Sequence, residues 1–242
     1  MSLIKGSPGV LEAALSRYEK SSGLRALVQL VLGFGGSVDT LLVTYLDNIR
    51  IRRISTFFEE LDKCGLQLSE EQLKNEDLLH AFMISLKAAI NARRGDKIRL
   101  FARLLSNYAR GQMMDDIDEF EESLQVLEDI SVREFQVLLI LRDFERKPWR
   151  KEEQNDLQWC STFWSEFLKA VEQRIGVPKD ELPGFLTRLN RTGLYKTFTG
   201  SNWGYGGDRG CTTSNFERLL SAVSQFGGDD YLPMGELADE KL

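Results

Sequence analysis

The sequence predicts a mainly α protein with one small β-hairpin: an all-helical first domain (1–130), a second domain (131–226) that holds the hairpin, and an acidic tail (227–242). Three features predict it. Apolar residues recur at three- and four-residue spacing almost everywhere before position 193, as one face of a helix requires. The period changes to two only over 194–199, the mark of a half-buried strand. Helix-start residues and glycine stops punctuate the chain between these stretches.

The first apolar stretch, 24–45, is long enough to span a bilayer, but Arg25, Gln29 and Asp39 interrupt it and Gly33, Gly35 and Gly36 sit at its middle. Two buried helices joined by a glycine turn are therefore expected, because a charge such as Asp39 is costly at bilayer depth. A hairpin that enters a membrane is the alternative. From Val38 to Leu61 the apolar residues trace one face of a long helix, with Asp47, Arg50, Arg52, Arg53 and Glu60 on the other side. Ser69-Glu70-Glu71-Gln72 is a capping-box pattern. Asn75 starts a further helix whose buried stripe is read as Leu79, Phe82, Met83, Leu86, Ala89 and Ile90, ending near Gly95. From Asp96 the spacing of Ile98, Phe101, Leu104, Leu105 and Tyr108 builds the next, closed by Gly111 in a left-handed cap. Residues 115–129 make one more, apolar inside and acidic outside.

A second capping box, Ser131-Val132-Arg133-Glu134, opens a helix whose run Val137-Leu138-Leu139-Ile140-Leu141 predicts burial on most sides. After a polar linker (147–156), Trp159, Phe163, Trp164, Phe167, Val171 and Ile175 mark an aromatic-rich helix stopped by Gly176 and Pro178. A short helix with Leu182, Phe185, Leu186 and Leu189 leads to Gly193. Then come the alternating strand, a glycine-rich loop (200–210), a short return strand at Cys211 and Thr212, and a helix capped by Thr213 or Ser214.

Composition excludes several kinds of chemistry. A net charge of -6 argues against coating nucleic acid or anionic membrane by bulk charge, so any such contact must be local. One histidine, His80, cannot build a multi-histidine metal site. Three cysteines without a CxxC pair fit a reducing compartment, and Met1-Ser2-Leu3 does not begin a secretory signal, so the cytoplasm is expected. His80 as a base for Cys64, and the acids Asp115, Asp116, Asp118, Glu119, Glu121 and Glu122 as a metal site, are both outweighed by plain structural roles. The glycine runs 33–36 and 204–207 lack the GK[ST] ending of a phosphate loop and read as turns. Arg93, Arg94, Lys97 and Arg99 form the densest basic cluster, read as a solvated face that could also grip an anion. No catalytic residue, metal or cofactor is expected.

Helix, polar linker, helix, short helix, then "RLNRTGLYKTF", a glycine-rich loop and a final helix: this order, over 131–226, resembles a winged-helix domain. The resemblance implies that 180–192 is the recognition helix and 194–212 the wing. It further implies that Arg188, Arg191 and Lys196 face phosphates or base edges, with Trp203, Tyr205 and Arg209 at the wing tip. Residues 131–226 hold 14 Lys/Arg and 12 Asp/Glu, a mild positive bias in an acidic chain, although Asp180 and Glu181 at the helix start oppose phosphate. The segments "GFGGSVDTLL" and "NEDLLHAFMISLKAAINARRGDKIRLFARLLSNYARG" are similar to a helical domain of uncharacterised bacterial proteins, some linked to phage-defence loci. That likeness implies an all-helical module and transfers no catalytic residue.

The function expected is that of a non-catalytic binding or regulatory protein, a DNA-associated regulator or defence accessory factor with duplex DNA as partner. One alternative is a protein-interaction module that binds a protein partner and forms homo-oligomers without touching DNA. Another is a membrane-acting effector using 24–45.

Overall fold

Mainly helical structure, with one two-stranded antiparallel hairpin as the only sheet among the described residues, is what the chain adopts. The computed structural model describes residues 40–66, 72–111, 116–147, 154–198 and 209–224, and in the first helix the side chains from Asn48 onward. The helices are α1 (Thr40–Lys63), α2 (Glu76–Asn91), α3 (Gly95–Ala109), α4 (Ile117–Asp129), α5 (Val132–Glu145), α6 (Asp156–Ile175), α7 (Leu182–Arg191) and α8 (Ser214–Val223), with a 3-10 turn at Gln72–Lys74. Strands β1 (Tyr195–Thr197) and β2 (Gly210–Thr212) lie between α7 and α8. The glycine turn at 33–36, most of the apolar stretch 24–45, residues 69–71 of the box at 69–72 and the tail 227–242 fall outside the described residues, while Gln72 of that box donates from Nε2 to Ala109 O at 3.1 Å. No helix among the described residues is long and apolar enough to cross a membrane.

The chain divides into two compact units, 1–125 with 222–242, and 126–221. In unit 1, α3 is the central helix: every residue from Leu100 to Asn107 is buried, and it packs against both α1 and α2. Phe57, Phe58 and Phe82 knit α1 to α2, with ring centroids 5.9 to 6.3 Å apart. Asn75 caps α2 by accepting from Leu78 N, and Gly111 has the left-handed φ of 62°. The buried stripe of α2 differs from expectation. It consists of Leu78, Ala81, Phe82, Ser85, Leu86, Ala88 and Ala89, while Met83 is 36% exposed. Small side chains let the α2 backbone approach its neighbours, and reading the face by its largest residues rotated it by part of a turn. Gly95, expected near the end of α2, is instead the first residue of α3.

Glu60 belongs inside as well, contrary to its expected place on the polar face of α1. It is 2% exposed and its Oε1 accepts from Arg103 Nε at 2.6 Å. A carboxylate tolerates such burial when a guanidinium is brought to it.

Unit 2 is arranged about α5. The reciprocal box is formed: Ser131 Oγ accepts from Glu134 N, and Glu134 Oε2 accepts from Ser131 N. Residues Val137 to Leu141 are all buried. Phe144 of α5 meets Phe163 and Phe167 of α6 at 6.0 and 6.3 Å, and Phe135 meets Phe216 of α8 at 6.0 Å. A box that the sequence reading overlooked, Asn155 with Gln158, opens α6, and Gly176 closes it at φ 69°. Thr213 Oγ1 caps α8 by accepting from Phe216 N at 3.3 Å.

Candidate nucleic-acid interface

The hairpin register pairs Tyr195 with Thr212, Lys196 with Cys211 and Thr197 with Gly210, and Phe198 N donates to Arg209 O beyond it. Gly210, read from sequence as the end of a glycine-rich loop, is the start of β2, where no other residue fits. A Cβ there would collide with the carbonyl oxygen of Lys196 and sit 2.6 Å from Tyr195 Oη. Tyr195 is buried and Lys196 exposed, so the strand turns its aromatic ring inward and its ammonium out.

Side chains from three helices hold the hairpin. Glu145, ending α5, accepts from Thr212 N at 2.8 Å and from Thr212 Oγ1. Cys160 Sγ of α6 donates to Gly210 O at 3.4 Å. Asn190 Nδ2 of α7 donates to Thr197 Oγ1 at 2.7 Å, fixing the last turn of α7 beside β1. Burial pushes the Cys160 thiol up to about 12 and the Cys211 thiol to about 11, so both are neutral side chains rather than nucleophiles.

Burial also raises the Glu145 carboxyl, and the Glu217 carboxylate adds to this, against the lowering by the Thr212 hydrogen bonds and by Arg142. A carboxyl raised in the folded state contributes stability that is full below the ordinary glutamate pKa of about 4.3 and is lost as pH rises through the folded value. Glu145→Gln should therefore flatten the decline of unit 2 stability with rising pH just above that range. Urea midpoints of the two proteins across pH check this, and parallel curves would contradict it.

The structure distributes the expected contact residues unevenly. Arg188 and Arg191 are both exposed on α7, as the stripe Leu182, Leu186 and Leu189 requires. Arg188, however, already has a partner: its Nε donates to Glu134 Oε1 at 2.7 Å, and its guanidinium lies 4.5 Å from the Phe185 ring centroid. Burial alone would raise the Glu134 carboxyl, but the Ser131 amide and the Arg188 guanidinium together hold it below the ordinary range. Phe185, expected inside, is half-buried, and the Arg188 and Arg133 guanidiniums lie over its ring, the latter at 5.4 Å. Arg133 was missed by the sequence reading. Nothing local links it to α7, from which it is separated by the rest of α5 and all of α6.

Arg191 and Lys196 flank the Asn190–Thr197 hydrogen bond in sequence, are exposed, and make no ion pair among the described residues. Arg209 donates from Nη1 to Ser161 Oγ of α6 at 2.7 Å, so it braces β2 against α6. Trp203 and Tyr205 lie outside the described residues. Asp180 and Glu181 are exposed ahead of α7.

The remaining candidates have structural partners. His80 Nε2 lies 2.7 Å from Glu121 Oε1 of α4, and Cys64, whose thiol burial pushes up, accepts at its carbonyl from Arg110. Asp116 Oδ1 accepts from Asp118 N at the start of α4. No group of three or more metal-ligating side chains exists among the described residues. The chain has no significant match among protein-family models, curated proteins or solved structures.

Proposed function

We propose that unit 2 is a winged-helix-like module that binds duplex DNA, with α7 as its recognition helix and the β1–β2 hairpin as its wing, and that the protein is a non-catalytic, DNA-associated regulator. The observation that carries this reading is the pair Arg191 and Lys196, exposed without ion-pair partners among the described residues, on two elements locked together by Asn190 and Thr197. A rigid helix end and strand bearing two uncommitted cations suit contact with adjacent phosphates, and an arginine there can also bond guanine through its planar fork. Arg188, one turn before Arg191 on α7, adds charge that Glu134 reduces, and Arg133 lies over the Phe185 ring of the same helix.

Arg188→Ala would mix two effects, since it strips the buried Glu134 of its guanidinium partner and leaves it only the Ser131 amide. Arg191→Ala with Lys196→Ala leaves that pair intact. Duplex binding followed by fluorescence anisotropy across salt should weaken in this double variant, and the slope of log K against log salt should shrink by about 0.9 for each phosphate no longer neutralised. Equal affinity and slope for wild type and variant would exclude these residues from a DNA interface. The neutralisation of Arg188 by Glu134 and the exposed acids Asp180 and Glu181 favour a second reading, in which the same surface docks a protein. That reading expects no effect on DNA from the double variant.

A further inference from the structure

Helix register within unit 1 brings together basic residues that are far apart in the chain. The α1 and α3 contacts advance in step, Glu60 with Arg103 and the Cys64 carbonyl with Arg110, so the two helices run parallel. Those between α1 and α2 advance in opposite senses, Phe57 and Phe58 with Phe82, and Arg53 Nη1 with Ile90 O at 2.6 Å. The stretch of α1 before Ile54, the C-terminus of α2 and the N-terminus of α3 therefore share one end of the unit.

That end is strongly basic. Arg50, Arg52 and Arg53 come from α1, Arg93 and Arg94 from the α2–α3 turn, and Lys97 and Arg99 from the start of α3. In α1 before Ile54 and over 90–99 the acids are Asp47 and Asp96, and Asp96 bridges Arg94 at 3.7 Å and Arg99 at 3.2 Å and so holds two of the guanidiniums in place. Arg52 and Arg93 are exposed and have no ion pair among the described residues. Burial, together with the nearby Arg52 charge, pulls the Arg53 guanidinium below its ordinary value. In a chain whose net charge is -6, these segments bring seven cations to one end of the unit against two acids, Asp47 and Asp96.

We infer that this end of unit 1 is a second nucleic-acid surface, one that holds the phosphate backbone of a duplex without reading its sequence. Six of the seven cations are arginines, whose planar fork matches phosphate oxygens in pairs. An anionic membrane is the less suitable partner, because membrane-surface sites combine basic charge with apolar side chains that enter the acyl boundary. Among the described residues the one large exposed hydrophobic side chain is Met83, two turns back along α2. The inference stands on charges of unit 1 and does not rest on the α7–hairpin reading.

The triple variant R52E/R93E/R94E of the 242-residue chain tests it, with circular dichroism to show that the helices persist and R52K/R93K/R94K to show that charge suffices. Against a short mixed-sequence duplex, the charge reversal should weaken binding at least about tenfold and cut the salt slope by about 0.9 for each phosphate set free. The lysine variant should retain most of the affinity, and sequence preference should not change. Unaltered binding by the triple variant would overturn the inference, as would wild-type protein that binds phosphatidylserine vesicles but not duplex. Weakened binding in R191A/K196A with none in the triple variant overturns this surface alone, whereas the converse overturns the α7–hairpin reading alone. A wild-type protein that fails to bind duplex at low salt overturns both.

Discussion

Arg103→Ala should destabilise unit 1 by about 3–5 kcal/mol, the cost typical of stranding one member of a buried ion pair. Glu60 is 2% exposed and Arg103 7%, so water cannot replace the missing guanidinium. Lys63 lies 3.7 Å from the other Glu60 oxygen, but its side chain is 61% exposed and too loosely held to substitute. Removing both charges is a different matter. Glu60→Leu with Arg103→Met should recover most of the stability, because apolar groups of similar volume replace a buried pair at little net cost. Urea unfolding followed by far-ultraviolet circular dichroism measures both variants. A single variant within about 1 kcal/mol of wild type would show the pair to be hydrated and peripheral.

Phe167→Ala should cost unit 2 a similar amount, about 3–5 kcal/mol, through reduced burial and a cavity that helix packing cannot close. Its side chain is inaccessible, meeting Phe144 edge-on at 6.3 Å and Trp164 at 4.9 Å. All 4 tryptophans lie within 126–221, so their fluorescence reports this unit selectively. An unchanged fluorescence-detected midpoint would contradict the assigned core.

Most of the helices were legible because their signals are local. Asn75, Ser131, Gly111 and Gly176 act through atoms three or four residues away, and they cap as their types require. The switch to period two placed the strand correctly. Asn155 and Gln158 carry an equally readable signature that a polar linker obscured. Features that depend on the meeting of distant segments stayed hidden. Nothing near Glu60 indicates Arg103, and nothing near Arg188 indicates Glu134 or Arg133. Gly210 was legible only as a glycine, since its need comes from Tyr195 and Lys196 across the hairpin. For the same reason the contact set Arg188, Arg191, Lys196 and Arg209 could be proposed from sequence, but not its division into braced and uncommitted cations.

Whether α7 and the hairpin meet DNA is tested most directly by titrating short duplex DNA into the isotope-labelled 242-residue chain and following the amide chemical shifts. Saturable shifts should concentrate in Leu182–Arg191, Tyr195–Thr197 and Gly210–Thr212, and weaken as salt is raised. Binding that leaves those three segments unshifted, or no shifts anywhere at low salt, would contradict a DNA-binding role for α7 and the hairpin.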